Sequence, residues 1–254
     1  HSVNDLLCRI LFFCACLRDH GANSVYLLAP YLGYARKDRR TKSHDPLSLR
    51  YVAQLLETSG ISGILCLDVH NDAAFSNAFR CPADILDSTQ IFADRLAQLL
   101  TTPAVTLFSP DLGGIRRVER LGQALHTRHS IACNFGFIDK RRSQDIISGD
   151  RFVGEVTNQS VVIFDDLIST GTTIARTVRA CRERGAREIF VAATHALFFE
   201  GVPKQIIEAP IDQVLLTNSL AWTLADSTTH RPPFEVLDTS EVWAQGIEAI
   251  QNTG

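Results

Sequence analysis

Val161-Val162-Ile163-Phe164-Asp165-Asp166-Leu167-Ile168-Ser169-Thr170-Gly171-Thr172-Thr173 runs four apolar residues into two adjacent carboxylates, and then into a turn of small, hydroxyl-bearing residues. The apolar run reads as a buried strand over residues 161–164, and the pattern beyond Thr173 reads as a helix from Ile174 through Cys181. A strand that feeds a turn opening a helix is a natural anion site, because free backbone N–H groups and the helix dipole meet a phosphate there. Thr170, Thr172 and Thr173 add hydroxyl donors, with Ser169 and Gly171 in the same turn. Asp165 and Asp166 sit at the carboxyl end of the strand, where open α/β sheets bind ligands. Together these parts suit a sugar phosphate, with carboxylates on the sugar hydroxyls and the turn on the 5′-phosphate. An ordinary strand–turn–helix corner with a capping aspartate would explain Asp165-Asp166 alone, but not the whole ordered pattern.

Working outward, helix-like and strand-like segments alternate along the chain. Residues 4–20, 48–57, 90–100, 115–127 and 240–250 read as helices; residues 25–29, 61–67, 105–108 and 189–193 read as strands. This βαβα order predicts an α/β protein of mainly parallel sheets flanked by helices. Two corners echo each other. Leu17-Arg18-Asp19-His20-Gly21-Ala22 leads into Val25-Tyr26-Leu27-Leu28, and Arg182-Glu183-Arg184-Gly185-Ala186 leads into Ile189-Phe190-Val191-Ala192. Each is a helix, a glycine that stops it, an alanine and a buried strand. Such corners look alike in many proteins, but with the chain length they suggest two similar α/β domains. The boundary is expected near Asp87, giving domains 1–87 and 88–239, with a C-terminal helix over 240–254 packing back on the first.

The chain has 254 residues, 45% of them hydrophobic, which is enough for one large core or two modest ones. A net charge of −3 argues against a general nucleic-acid or membrane-surface binder. The basic residues still cluster, at 36–42, 116–120 and 140–142, which suits a polyanionic small molecule. Seven scattered cysteines read as small apolar fillers in a reducing cytosol. Residues 6–17 are interrupted by Arg9 and too short to span a bilayer, so neither a signal peptide nor a membrane span is expected. Methionine is absent, including at the first position, so the natural N-terminus is expected to lie upstream.

The stretch from Val161 to Thr173 resembles the phosphoribosyl-pyrophosphate (PRPP) loop shared by type I phosphoribosyltransferases and ribose-phosphate diphosphokinases (PRPP synthetases). Thr172 stands where many members have Gly, and Ser169 where many have Asp. Four further strings resemble the synthetases. Tyr34-Ala35-Arg36-Lys37-Asp38-Arg39 is similar to their ATP-binding loop, which implies Arg36 on the adenine and Arg39 as a polar ATP contact, with Lys37 and Asp38 beside them. Lys37 replaces a common Gln. Asp68-Val69-His70 ends a strand; two residues apart on an extended segment, Asp68 and His70 would point to one side. The resemblance implies that His70 helps hold Mg²⁺–ATP. Ser109-Pro110-Asp111-Leu112-Gly113-Gly114 implies Asp111 as a second metal-site residue, with paired glycines letting the backbone pass close to phosphate. Phe137-Ile138-Asp139-Lys140-Arg141-Arg142-Ser143 is similar to the flap that closes over the reacting phosphates, which implies Lys140 and Arg142 as catalytic residues. His195 receives a structural hydrogen bond rather than a catalytic role, and Trp222 and Trp243 read as core or interface residues.

The implied fold is phosphoribosyltransferase-like, and the implied reaction converts ATP and ribose 5-phosphate to PRPP and AMP with Mg²⁺, in the cytoplasm. The resemblance also implies a dimer-based homo-oligomer, with a hexamer among the forms it allows. Family members carry an additional N-terminal portion, so the first domain is expected to lack its first strands here. Two alternatives stay open: a type I phosphoribosyltransferase, and a non-catalytic paralogue that binds and regulates a true synthetase.

Overall fold

The computed structural model describes residues 2–102, 104–139, 151–222 and 232–253. They fall into two compact units, one of His1–Asp87 with Glu241–Gly254 and one of Ser88–Ser240.

The first unit holds α1 (Val3–Asp19), β1 (Tyr26–Ala29), α2 (Ser48–Thr58), β2 (Gly63–Leu67), α3 (Asp72–Ala78) and β3 (Ala83–Leu86). A capping box starts α1: Ser2 Oγ accepts the Asp5 N–H at 3.2 Å, and the Asp5 carboxylate accepts the Ser2 N–H at 3.1 Å. The strands form a parallel sheet in the order β1-β2-β3. Every residue of β2 is buried, as a central parallel strand covered on both faces requires. Leu49, Val52, Ala53 and Leu56 of α2 share a core with Ile64 and Cys66. At Gly246 of the C-terminal helix a Cβ would lie 2.8–2.9 Å from Leu86 and Leu65, so the missing side chain is what lets that helix approach.

The second unit holds α4 (Thr89–Leu99), β4 (Val105–Ser109), a 3-10 turn (Leu112–Gly114), α5 (Ile115–His129), β5 (Cys133–Asp139) and β6 (Arg151–Val153). It continues with β7 (Ser160–Ile168), α6 (Thr172–Glu183), β8 (Glu188–Ala196), α7 (Lys204–Ile207), β9 (Gln213–Thr217) and β10 (Phe234–Leu237), and α8 (Ser240–Thr253) ends the chain. The sheet order is β10-β9-β8-β7-β4-β5-β6. All pairs are parallel except β5 with β6. Alternate residues of β7 enter opposite cores. Val161 and Ile163 pack with Ile174, Val178 and Cys181 of α6, and Val162 and Phe164 with Phe92 of α4 and Leu121 of α5.

The chain leaves β4 toward β5 on one side and leaves β7 toward β8 on the other, although β4 and β7 are neighbours. Their carboxyl ends therefore form the topological switch point, the crevice where such sheets take ligands.

The echoed corners have the same geometry. Gly21 and Gly185 are left-handed, at φ +88° and +83°. Arg18 Nη1 donates to the carbonyls of Ala22 and Asn23, at 2.7 and 2.6 Å. Arg182 Nη1 donates to those of Ala186 and Arg187, at 3.1 and 2.7 Å. In each unit an arginine from the last helical turn straps the chain entering the next strand.

Candidate functional site

In the second unit, β7 runs farther than the apolar run implied. It continues through both aspartates to Ile168, correcting a strand of residues 161–164. The extension is one-sided. Pairing with β4 stops at Ile163, while pairing with β8 continues through Asp165–Ala193, Leu167–His195 and Ile168–Ala196. The two aspartates thus lie where one side of the strand has lost its neighbour.

Their charge is met by Arg117, near the start of α5. Its Nη1 lies 3.1 Å from Asp165 Oδ1 and its Nη2 3.5 Å from Asp166 Oδ1. Asp165 Oδ1 also accepts the Asp166 N–H at 2.8 Å. The site is recessed: the side chains of Arg117, Asp165 and Asp166 are 11%, 21% and 4% exposed. Burial first, and then the neighbouring Asp166 carboxylate, push the Asp165 carboxyl well above the usual carboxylate range; Arg117 pulls it back.

Arg117 is the residue that sequence reasoning passed over, grouped in a basic cluster at 116–120. The signal was there. Residues 117, 121 and 125 fall on one face of α5, and Leu121 and Leu125 are fully buried. An arginine at the head of an apolar stripe calls for a carboxylate partner.

Beyond β7, Gly171 is left-handed at φ +73° and α6 starts at Thr172. The N-terminal N–H groups of α6 have no side-chain cap, which leaves them suited to an anion. Ser169, Thr170 and Thr172 are exposed, Thr173 is half-buried, and Thr170 Oγ1 lies 3.2 Å from Thr172 Oγ1. A Cβ on Gly171 would come within 2.5 Å of Ile206 Cγ1, so α7 backs the turn.

Asp111 follows β4 and caps the 3-10 turn, its Oδ1 accepting the Gly113 N–H at 2.9 Å. Ser109 Oγ donates to the Asp111 carbonyl at 2.6 Å. A Cβ on Gly114 would lie 2.5 Å from Ser109 Oγ and 3.5 Å from Arg117 Nη1. Gly114 therefore makes room for the Ser109 hydroxyl of this turn. Asp111 is exposed, and among the described residues no group of three or more His, Cys, Asp or Glu side chains gathers for a metal.

In the first unit, Arg36, Lys37 and Arg39 are exposed on the loop after β1, with Tyr34 left-handed at φ +68°. Lys37 Nζ lies 3.7 Å from Asp45 Oδ2. Asp45 in turn accepts the N–H groups of Thr41 and Lys42, each at 3.0 Å, and the Thr41 hydroxyl. Asp38 Oδ2 accepts from Asn71 Nδ2 at 2.7 Å, and Asn71 caps α3. The loop is thereby tied to the segment carrying His70, which is exposed. The extended reading of Asp68 to His70 is corrected: β2 ends at Leu67, and Asp68 turns left-handed at φ +43°. Period-two alternation does not hold across such a turn.

Lys140 and Arg142 lie outside the described residues; β5 ends at Asp139, immediately before them. His195 is buried with Nδ1 2.9 Å from Ser219 Oγ. Trp222 packs edge-on against Phe198 and Phe234. The seven cysteines are free thiols, and among the described residues no helix is long and apolar enough to cross a membrane.

Residues 1–60 match the family described as the N-terminal domain of ribose phosphate pyrophosphokinase, and residues 148–254 the phosphoribosyl synthetase-associated domain. The chain is 33% identical to a ribose-phosphate pyrophosphokinase of Mycoplasma pneumoniae, over 98% of this chain and 75% of that one. It is also 33% identical to one of Thermotoga maritima, over 86% of this chain and 68% of that one. Its fold is similar to the crystal structure of phosphoribosylpyrophosphate synthetase from Mycobacterium smegmatis. The TM-score is 0.86 at 29% identity, over 99% of this chain and 79% of that one.

Proposed function

The chain belongs to the ribose-phosphate pyrophosphokinase family, and on that premise we propose that it converts ATP and ribose 5-phosphate to PRPP and AMP. The C1 hydroxyl oxygen of the sugar bonds to the β-phosphorus of ATP. The bond from that phosphorus to the oxygen bridging it to the α-phosphate breaks, AMP leaves with that oxygen, and the hydroxyl proton is released.

The observation that carries this reading is the second unit's pairing of a carboxylate couple with an uncapped helix start at the switch point of the sheet. Asp165 and Asp166 would accept hydrogen bonds from the ribose hydroxyls. Ser169, Thr170, Gly171, Thr172 and Thr173 would cradle the 5′-phosphate with the α6 N–H groups. Arg36 would stack on the adenine, with Lys37, Asp38 and Arg39 beside it. Lys140 and Arg142 would neutralise charge building on the transferred group and the leaving oxygen, since catalysis of phosphoryl transfer is mostly positioning and charge compensation.

His70 would help hold Mg²⁺ entering with the nucleotide, and Asp111 would serve as a second metal-site residue. Magnesium, when bound, would neutralise phosphate charge. In this reading residues 1–87 with the C-terminal helix are the nucleotide domain, and 88–239 the sugar-phosphate domain. The active form is a dimer-based homo-oligomer in the cytoplasm.

The test is AMP and PRPP formation by the full-length protein supplied with ATP, Mg²⁺ and ribose 5-phosphate. Sugar-dependent AMP release with matching PRPP is expected. Consumption of PRPP with a purine or pyrimidine base, without AMP release, would overturn it in favour of a phosphoribosyltransferase.

A further inference from the structure

We propose that Arg117 is the positioning residue of the sugar site, its guanidinium holding the Asp165 and Asp166 carboxylates in the orientation and charge state that accept the sugar's hydroxyls. The inference rests on the reading of Asp165 and Asp166 as sugar-binding residues.

The two carboxylates are adjacent in sequence on a strand supported only on its β8 side beyond Ile163. A strand alternates its side chains between faces, so adjacent carboxylates do not naturally serve one ligand. One planar fork offers two nitrogens at a fixed spacing, and here one reaches each aspartate, at 3.1 and 3.5 Å. The guanidinium is nearly buried. Arg117 lies in the first turn of α5, directly after the β4–α5 turn that carries Asp111, so the arginine ties the two ligand-facing ends of β4 and β7 together.

The chemistry follows from the charge balance. Among the described residues, the charged groups acting on the Asp165 carboxyl are Asp166, which raises its pKa, and Arg117, which lowers it; burial adds to the rise. A sugar hydroxyl donates to an ionised carboxylate, whereas a protonated carboxyl loses acceptor capacity. Without Arg117, only the Asp166 backbone N–H opposes burial and the Asp166 carboxylate. The pair, which titrates as a unit, would then reach its accepting state only at higher pH.

The experiment compares Arg117→Gln and Arg117→Lys with the parent protein. It measures KM and kcat for ribose 5-phosphate between pH 6 and 9.5 (on the order of the range spanned by a perturbed carboxylate pair and above), and calorimetric ribose 5-phosphate binding with Mg²⁺ over the same range. Arg117→Gln is expected to raise KM about tenfold to a hundredfold near neutral pH, as for one lost charge-assisted hydrogen bond. Its kcat should change much less, because these contacts serve ground and transition states alike. Its affinity should recover toward higher pH than the parent's. Arg117→Lys keeps the charge but not the fork, so its pH profile should stay near the parent's while KM rises by less.

A role confined to folding would lower Tm and leave KM and the pH profile in place, and that result overturns the proposal. If Arg117→Gln does not fold, Arg117→Lys decides, and a parental KM in that variant overturns the proposal. A parent that binds ribose 5-phosphate without forming PRPP overturns the reaction; the binding constants of the variants then decide the role of Arg117. A parent that does not bind the sugar phosphate overturns both.

Discussion

Gly171→Ala tests how firmly the phosphate turn is built. Two costs arise together. At φ +73° an L side chain is strained, by about 1–2 kcal/mol. The new Cβ would also come within 2.5 Å of Ile206 Cγ1 and 2.9 Å of its Cδ1, and Ile206 is fully buried. Overpacking of that kind costs about 1–3 kcal/mol. The sum is about 2–5 kcal/mol if the turn keeps its place. Thermal denaturation of the second unit's transition would report it, with a fall in Tm on the order of 10 °C for a unit of this size. If the turn yields instead, the α6 N-terminus moves, and the loss appears as weaker ribose 5-phosphate binding. A double-mutant cycle separates strain from clash. Ile206→Ala alone should cost about 2–5 kcal/mol. Adding Gly171→Ala to it should cost about 1–3 kcal/mol less than in the parent, because the clash has gone and only the backbone strain remains. Strict additivity would refute the clash. Parental stability and parental KM in Gly171→Ala would refute the whole argument.

Lys140→Ala is expected to lower kcat about a hundredfold or more while leaving ribose 5-phosphate binding nearly intact; calorimetry beside turnover checks this, and equal losses in both would contradict it. Asp165→Asn concerns stability against pH. The folded Asp165 carboxyl is raised, so between the ordinary aspartate pKa and the raised one the folded state binds more protons than the unfolded, and stability falls as pH rises through that window. The asparagine variant lacks this loss, so its stability relative to the parent should grow with pH across the window while its sugar affinity drops. Asp94 has the opposite sign. Arg128 holds it bidentately, at 2.9 and 3.1 Å, with His129 Nε2 at 2.7 Å, and these partners, Arg128 foremost, depress its pKa. Its contribution is therefore present above the unfolded pKa and lost as pH falls through the lower folded one. Asp94→Asn should cost less than about 1 kcal/mol at neutral pH, because the pair is exposed and screened, and the difference should vanish in acid and shrink in high salt.

What could be read from the residues was local. The apolar run into Asp165-Asp166, the hydroxyl-rich turn and the helix after it depend on neighbours in the chain. So do the Gly21 and Gly185 corners, each reached by its own helix's arginine four and five residues back. The PRPP-loop resemblance rested on the same contiguous strings. Short or mixed elements escaped. The seven-residue α3 is too brief for a helical period to show. β5 carries Asn134 and Gly136, and the four-residue β3 and β10 offer no clean alternation. Asp68 adopts its left-handed turn without any glycine to announce it. The sequence alone determined an α/β chain with a sugar-phosphate turn, because backbone propensity, hydrophobic period and capping act over a few residues. Only the tertiary structure decided the strand order that puts β4 beside β7, the one-sided end of β7, and the Arg117 bridge to a carboxylate pair 48 residues away. Burying charge requires a partner, and which distant residue supplies it depends on how the sheet is threaded.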